Sequence, residues 1–160
     1  MLVGQLGITP ADYCDVAAAN MISLFRKARH EIVMVTGGTD RLPFDSPTLV
    51  SATRSALRRG VAVHVYAGPG ADLESRFMTE FPEHIKILTQ EPRMHFAVAD
   101  RTHVRLEQVH AIADLTPPNL VLLDATTSAA RLLSVLSASL REQSVAAVPL
   151  KEYKNREQHA

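Results

Sequence analysis

Residues 93–100 read RMHFAVAD and are followed at residues 103–107 by HVRLE. In the first segment small or polar residues alternate with large apolar ones, which is the pattern of a β-strand with two different faces. The second segment also has strand character, and Asp100-Arg101-Thr102, where the two strands join, predicts a tight three-residue hairpin loop. The sequence therefore predicts a β-hairpin in this part of the chain.

The predicted hairpin brings a histidine opposite a carboxylate. If the loop is Asp100-Arg101-Thr102, the facing pairs are Ala99 with His103, Ala97 with Arg105, and His95 with Glu107. A shift of one residue would turn every side chain to the other face, so the pairing depends on this register. A cross-strand pair of His95 and Glu107 is the local prediction.

Start and stop signals mark two helices before the hairpin. A hydroxyl side chain precedes proline at Thr9-Pro10 and at Ser46-Pro47, a combination typical of a helix start. The second helix is predicted to end at Gly60. Each helix leads into an apolar run, at residues 32–36 and 61–66, typical of a strand covered on both faces. The alternation predicts a strand–helix–strand unit with a right-handed crossover.

The later elements complete an α/β domain. They are predicted as a short helix ended by Pro82, a strand over 85–88, a short strand over 120–123 and a long helix from about Thr126 to Glu142. Residues 151–160 are uniformly polar and are predicted to form a frayed tail. The expected fold class is a mixed, mostly parallel sheet flanked by helices, in a single domain over residues 1–150.

Composition narrows the class of protein. A chain of 160 residues with 46% hydrophobic and 21% charged residues suits one globular domain. Lys and Arg number 17, as do Asp and Glu, and this zero net charge argues against bulk attraction to nucleic acid. The single Cys14 excludes an internal disulfide and every multi-cysteine zinc motif. No apolar run reaches the roughly 18 residues of a membrane span, and no signal peptide is recognisable, so we expect a cytoplasmic protein.

The order of elements resembles the phospholipase D superfamily, in particular its small single-repeat members. The resemblance covers about Asp12 to Glu142 and rests on four features. A first strand ends at Thr36-Gly37-Gly38, a helix passes into a strand through Arg59-Gly60-Val61, a hairpin carries the signature position, and an apolar helix closes the domain. The resemblance implies a phospholipase D-like domain with a cleft. It also implies a two-fold homodimer, because single-repeat members build their cleft from two chains.

The signature of that family is His-x-Lys-x-x-x-x-Asp, followed after the hairpin by Gly-Ser-x-Asn. Aligned through Asp100, the histidine falls on Arg93 and the lysine on His95. The second stretch falls on Glu107, Gln108 and His110. Only the aspartate is retained. The family's first histidine is the nucleophile, and an arginine cannot replace it because it stays protonated at any usable pH.

The resemblance implies that the replacing residues converge in the cleft. The candidate ligand-binding residues are Arg93, His95, Asp100, Glu107, His110, Thr36, Gly37 and Gly38, and the candidate catalytic residues are His95, His110 and Glu107. Two histidines beside a carboxylate can relay protons or hold a metal. Their spacing matches no compact zinc motif, so we predict neither a metal nor a cofactor.

Plainer interpretations stay open for the same residues. Arg93 suits a phosphate or carboxylate ligand, but it also suits an ion pair on the rim. His95 and Glu107 fit a simple polar cross-strand pair. The segment Thr36-Gly37-Gly38 stands where α/β sheets bind ligands, but it also fits an ordinary turn.

The sequence predicts a catalytically degenerate phospholipase D-like domain that serves as a ligand-binding, regulatory or protein-interaction module, not as an enzyme. Its partner is expected to be an anionic or phosphate-bearing ligand, or another protein. The alternative is an enzyme with altered, histidine-based phosphodiesterase or hydrolase chemistry. In that case His95 or His110 serves as nucleophile or general base, and Arg93 stabilises anionic charge.

Overall fold

The structure is a computed structural model that describes residues 10–37, 44–92, 94–108, 119–122, 125–141 and 147–157. The described helices α1 to α5 are Pro10–Lys27, Pro47–Arg58, Arg76–Glu80, Thr126–Arg141 and Leu150–Glu157, and a single 3-10 turn spans Pro82–His84. The described strands β1 to β7 are Glu31–Thr36, Ala62–Ala67, Ile85–Leu88, Met94–Ala99, His103–Gln108, Asn119–Leu122 and Ala147–Pro149.

The described strands form one sheet in the order β6-β5-β4-β1-β2-β3-β7. β1 pairs in parallel with β2, and β2 with β3. The ladders β1–β4, β4–β5, β5–β6 and β3–β7 are antiparallel. The mixed α/β class is therefore confirmed. The expectation of a mostly parallel sheet is wrong for the described strands, because parallel pairing is confined to β1–β3 while four ladders are antiparallel.

Helices cover both faces of the sheet, and strand alternation assigns each side chain to a face. Ile32 and Met34 of β1 join the main core, which α1, α2, α3 and α5 cover. Val35 belongs to a second core under α4, together with Phe96 and Val98 of β4. His95 alternates with these two β4 residues and so lies on the main-core face.

The helix signals of the sequence act as expected at α2. Ser46 caps this helix, because its Oγ accepts a hydrogen bond from the Leu49 N–H at 3.3 Å, and Pro47 occupies the first turn. Gly60 follows the helix with a φ of 83°, a conformation that glycine adopts without strain. The neighbouring Arg59 donates to the carbonyls of Phe25 and Ala28 at 2.7 and 3.2 Å, which joins the ends of α1 and α2.

The hairpin has the register that the alternation predicts. Ala99 faces His103, Ala97 faces Arg105, and His95 faces Glu107. The loop is Asp100-Arg101-Thr102, and it closes with a hydrogen bond from the Thr102 N–H to the Ala99 carbonyl at 3.0 Å. Asp100 and Arg101 have φ values of 52° and 58°, so two successive residues in the left-handed region turn the chain.

Asp100 ties this hairpin loop to the junction between α1 and β1. Its carboxylate accepts hydrogen bonds from the backbone N–H groups of Arg29 at 2.8 Å, His30 at 2.8 Å and Glu31 at 3.0 Å. Burial by itself would raise the pKa of the Asp100 carboxyl. The three hydrogen bonds and the charge of His30 outweigh that effect, and the pKa lies below its ordinary value.

The carboxy-terminal residues differ from the sequence prediction. A frayed tail was expected over residues 151–160, but Leu150–Glu157 forms helix α5. Leu150 is fully buried, and Tyr153 packs against the main core one helical turn later. The prediction was wrong because two apolar residues at helical spacing anchor a helix whose other side chains are polar.

The Asp100 contact predicts a pH-dependent stability difference. Replacing Asp100 with Asn keeps a residue that tolerates a positive φ but removes the charged acceptor. At neutral pH the variant should lose about 1–2 kcal/mol of unfolding free energy, a range that allows for partial exposure of the site. The lowered pKa means that wild-type Asp100 stabilises the fold above the unfolded-state pKa of about 4. That contribution disappears as the pH falls through the folded-state pKa.

Urea unfolding at several pH values measures this difference. The gap between wild type and Asp100→Asn should close in acid. Glu157→Gln, which neutralises an exposed carboxylate at the end of α5, is the matched control and should show little effect. A gap that stays constant from neutral to strongly acidic pH would contradict the assignment.

Candidate functional site

Four residues from distant parts of the chain meet at the edge of the sheet where β1 and β2 end. Gly37 directly follows β1, Gly68 directly follows β2, His95 lies near the start of β4, and Glu91 lies in the connection between β3 and β4. We call these four residues the two-glycine site. The carboxyl ends of parallel strands are the edge where α/β sheets commonly bind ligands.

The His95 imidazole is seated against Gly37. Only 7% of His95 is exposed. A Cβ atom added to Gly37 would lie 2.3 Å from His95 Nε2 and 2.8 Å from Cε1, closer than real Cβ atoms approach other atoms. The ring therefore occupies the space that a side chain at position 37 would need. It fits there because residue 37 is a glycine.

The Glu91 carboxylate lies across both glycines. Its Oε1 would be 2.5 Å from a Cβ at Gly37 and 2.8 Å from a Cβ at Gly68, and its Oε2 would be 2.3 Å from the latter. His95 Nε2 and Glu91 Oε1 approach the same point at Gly37, so the imidazole and the carboxylate are neighbours. This arrangement combines a group that can transfer protons with a group that carries negative charge.

Arg105 supplies a buried positive charge on the same face of the sheet. It faces Ala97 across the β4–β5 ladder and is only 4% exposed. His95 lies diagonally across that ladder, a separation of about 7–8 Å between backbone positions. The Arg105 guanidinium therefore places a positive charge on the face of the sheet where His95 lies.

The structure brings together three of the residues that the sequence proposed for ligand binding. Thr36, Gly37 and His95 lie at the same sheet edge, and the Thr36 carbonyl accepts a hydrogen bond from the Gly68 N–H at 2.9 Å. The backbone of Glu107 lies opposite His95 in the β4–β5 ladder, as the register predicted. Arg93, Gly38 and His110 lie outside the described residues.

Asp100 is separated from this group. It follows the far end of β4, five residues from His95, which corresponds to about 16 Å of extended chain. Its carboxylate is engaged by three backbone N–H groups at the start of β1. Asp100 therefore lies apart from His95, although both are candidate ligand-binding residues, because a strand cannot bring both of its ends to the same edge of the sheet.

Glu91 was missed by reasoning from the sequence. It precedes Pro92 in an irregular connection, where no periodicity assigns a side chain to a face. The available signal was its position. Glu91 is an acidic residue in the segment that leads into β4. This segment lies at the same edge of the sheet as the glycines that follow β1 and β2. Arg105 was paired correctly with Ala97 but was not recognised as a buried charge.

A cavity of about 410 Å³ lies on the opposite face of the sheet, under α4. Its wall is mainly apolar and includes Val35, Phe96 and Leu136, and Glu91 contributes to its rim. Two of its lining residues, Met94 and Val135, are 42% and 63% exposed. Glu91 thus borders both the two-glycine site and an open space.

The described residues form neither a metal-binding cluster nor a membrane-spanning helix. Within the described ranges, no group of three or more His, Cys, Asp or Glu side chains is arranged to hold a metal ion. None of the helices in the described part of the chain is long and apolar enough to cross a membrane.

Comparisons with known sequences give no assignment. No family model matches the chain, and no protein of curated function matches it. Solved structures do match. The fold is similar to that of Nuc from Salmonella typhimurium, a phospholipase D family member, with 16% identity and a TM-score of 0.55 over 76% of this chain and 85% of that chain.

Two further structures have the same fold. NucT from Helicobacter pylori is 14% identical, with a TM-score of 0.58 over 91% of this chain and 97% of that chain. TrmBL2, an archaeal chromatin protein described as having a novel mode of DNA binding, is 12% identical, with a TM-score of 0.60 over 85% of this chain and 51% of that chain. These comparisons establish a class, a mixed α/β domain with helices on both faces of an open sheet. Within that class, the fold is phospholipase D-like.

The packing at the two glycines predicts different costs for the same substitution. Gly37→Ala places a methyl group against the buried ring of His95, whereas Gly68→Ala meets only the flexible end of Glu91. Neither glycine has a positive φ, so backbone strain does not contribute. We expect Gly37→Ala to lose about 1–3 kcal/mol of unfolding free energy and Gly68→Ala to lose clearly less.

Urea unfolding of the two variants gives the energies, and NMR signals of the His95 ring report its displacement. Gly37→Ala should shift these signals more than Gly68→Ala does. Equal costs, with an unmoved His95 ring in both variants, would show that the imidazole is not seated against Gly37.

Proposed function

We propose that this phospholipase D-like domain binds an anionic, phosphate-bearing ligand at the two-glycine site without cleaving it by the family reaction. Of the ligand-binding, regulatory and protein-interaction roles that the sequence allows, ligand binding fits the geometry best. The observation that carries the proposal is a buried imidazole, His95, at the carboxyl ends of parallel strands, with the buried guanidinium of Arg105 on the same face.

The signature positions support binding without turnover. As the resemblance aligns them, the nucleophilic histidine is replaced by Arg93 and the phosphate-holding lysine by His95. Arg93 cannot attack phosphorus, because its guanidinium does not lose its proton at any usable pH. A guanidinium and an imidazole can still donate hydrogen bonds to phosphate oxygens. The substitutions therefore remove the reaction of the family and keep donors for its ligand.

The likeness to TrmBL2 supports a role outside catalysis. TrmBL2 is an archaeal chromatin protein with a novel mode of DNA binding, and the likeness covers 51% of its chain, so this fold occurs within a protein that has a binding role. This chain carries no net charge, and wide electrostatic attachment to nucleic acid is not part of the proposal. A single phosphate group recognised at a defined site fits its charge better.

A second candidate function is histidine-based hydrolysis. The observation that favours it is the Glu91 carboxylate beside His95, since a carboxylate next to an imidazole orients the ring and stabilises its protonated form. In this alternative His95 acts as general base or nucleophile on a phosphodiester. The two functions differ in whether bound phosphodiester is turned over.

The homodimer also belongs to the proposal. It comes from the resemblance to single-repeat phospholipase D-like proteins, whose cleft is shared by two chains. We propose the cytoplasm as its location, on the basis of the single cysteine. Light scattering of the purified chain at micromolar concentration should give the mass of a dimer, and a monomer mass would remove the shared cleft from the proposal.

The function is tested with bis(p-nitrophenyl) phosphate, a phosphodiester that releases a coloured product when it is cleaved. Added to the purified chain, it should shift the backbone amide NMR signals of Gly37 and Gly68, which line the site, and release no p-nitrophenol. His95→Gln should weaken binding about tenfold, the loss expected for one good hydrogen bond to an anion. His64→Gln changes an exposed histidine of β2 and is the matched control.

The outcomes separate the two functions. Binding without product supports the proposal when it is about tenfold weaker in His95→Gln and unchanged in His64→Gln. Turnover that disappears in a folded His95→Gln variant would establish the hydrolase instead. Circular dichroism of each variant confirms that the comparison is made between folded proteins.

A further inference from the structure

We propose that Glu91 determines the ligand specificity of the two-glycine site by occupying the position that the anion of the ligand must take. This inference rests on the proposed function and names the residue that controls it. The Glu91 carboxylate is an anion of the protein itself, and it lies at the sheet edge. A phosphate can enter the site only when the Glu91 side chain moves aside.

The position of the carboxylate is defined by both glycines. Its two oxygens lie 2.3 and 2.8 Å from the point where a Cβ of Gly68 would stand, and Oε1 lies 2.5 Å from the corresponding point at Gly37. An anionic group is therefore placed over the backbone at the ends of β1 and β2, beside His95. A phosphate bound at the same place would overlap with it.

Electrostatics prevents joint occupancy. Two anions a few ångström apart repel each other, and the repulsion is stronger at a protein surface than in bulk water because the effective dielectric constant is lower. Charge repulsion therefore adds to the overlap, and the Glu91 carboxylate and a ligand phosphate exclude each other from this position.

The structure gives Glu91 room to move. The residue is exposed as a whole, although its carboxylate touches the two glycines. It lies in an irregular connection rather than in a strand, and it borders the cavity of about 410 Å³ under α4. A rotation of its side chain towards that cavity clears the two-glycine site without moving β4.

The ligand class follows from this competition. Free inorganic phosphate offers nothing beyond the contacts that the carboxylate already makes, so it displaces Glu91 poorly. A phosphate ester of a larger molecule brings additional contacts outside the site and can displace it. The two-glycine site therefore selects phosphate esters over free phosphate.

Inorganic phosphate is the probe that tests this role. It is titrated into the full chain, with binding followed by the NMR signals of the His95 ring. Glu91→Gln keeps the size of the side chain and removes its charge, and it should bind phosphate about tenfold more tightly than the wild type. Glu157→Gln removes one negative charge on the last helix and should bind as the wild type does. Glu91→Ala should act in the same direction as Glu91→Gln.

The outcomes distinguish this inference from the proposed function. In one outcome, Glu91→Gln leaves phosphate affinity unchanged while His95→Gln still weakens bis(p-nitrophenyl) phosphate binding. That result would overturn the role of Glu91 and leave the proposed function intact. If neither the wild type nor Glu91→Gln binds phosphate or the diester, both are overturned. An equal gain in Glu157→Gln would assign the effect to net charge and would also overturn the inference.

Discussion

The carboxylate of Asp100 accepts hydrogen bonds from three successive backbone N–H groups where α1 passes into β1, and the rest of the site depends on this contact. It anchors the turn between β4 and β5 to the beginning of β1. With that end held, Ala99 faces Ile32 and Phe96 faces Val35. His95, one residue further along β4, then reaches the end of β1, where Gly37 leaves space for its ring. A carboxylate at one end of the sheet thus sets the position of an imidazole at the other.

This relation gives a physical reason for the pattern of loss and retention in the signature. In the alignment that the resemblance suggests, the nucleophile and the phosphate-holding lysine are replaced, and Asp100 alone is kept. Asp100 binds backbone N–H groups, a structural role that does not depend on a ligand. In the proposed function the replacing residues, by contrast, contact the ligand.

The two glycines make the site compact. They let an imidazole and a carboxylate lie directly on the backbone at the ends of adjacent strands, and Arg105 places a positive charge beneath the same face. Such a site already contains an anion of the protein itself, the Glu91 carboxylate, before any ligand binds. Its selectivity then depends on which anion, the resident carboxylate or a ligand phosphate, makes the better contacts. This competition between two anions distinguishes the site from a cleft lined only with cationic groups.

Much of the fold is local in origin and could be predicted. Alternation in residues 94–107 defined the hairpin and its register, because each strand face has a period of two and the loop length fixed the offset. Ser46, Pro47 and Gly60 defined the limits of α2 through capping and backbone preference. Helix α5 was missed, since Leu150 and Tyr153 are too few to show periodicity and gain their burial only from the assembled core.

The sequence by itself determined most of the helices and strands, the facing pairs of the hairpin and the α/β class of the domain. All of these follow from patterns within a few residues. Only the tertiary structure decided that Glu91 lies against Gly37 and Gly68, and that Asp100 stands apart from His95. The contacts of Glu91 with the two glycines, and the hydrogen bonds of Asp100, join segments about twenty to seventy residues apart in the chain. Their geometry depends on strand order. No local preference of a loop residue specifies which strand ends it will meet, because that choice is made by the packing of the whole sheet.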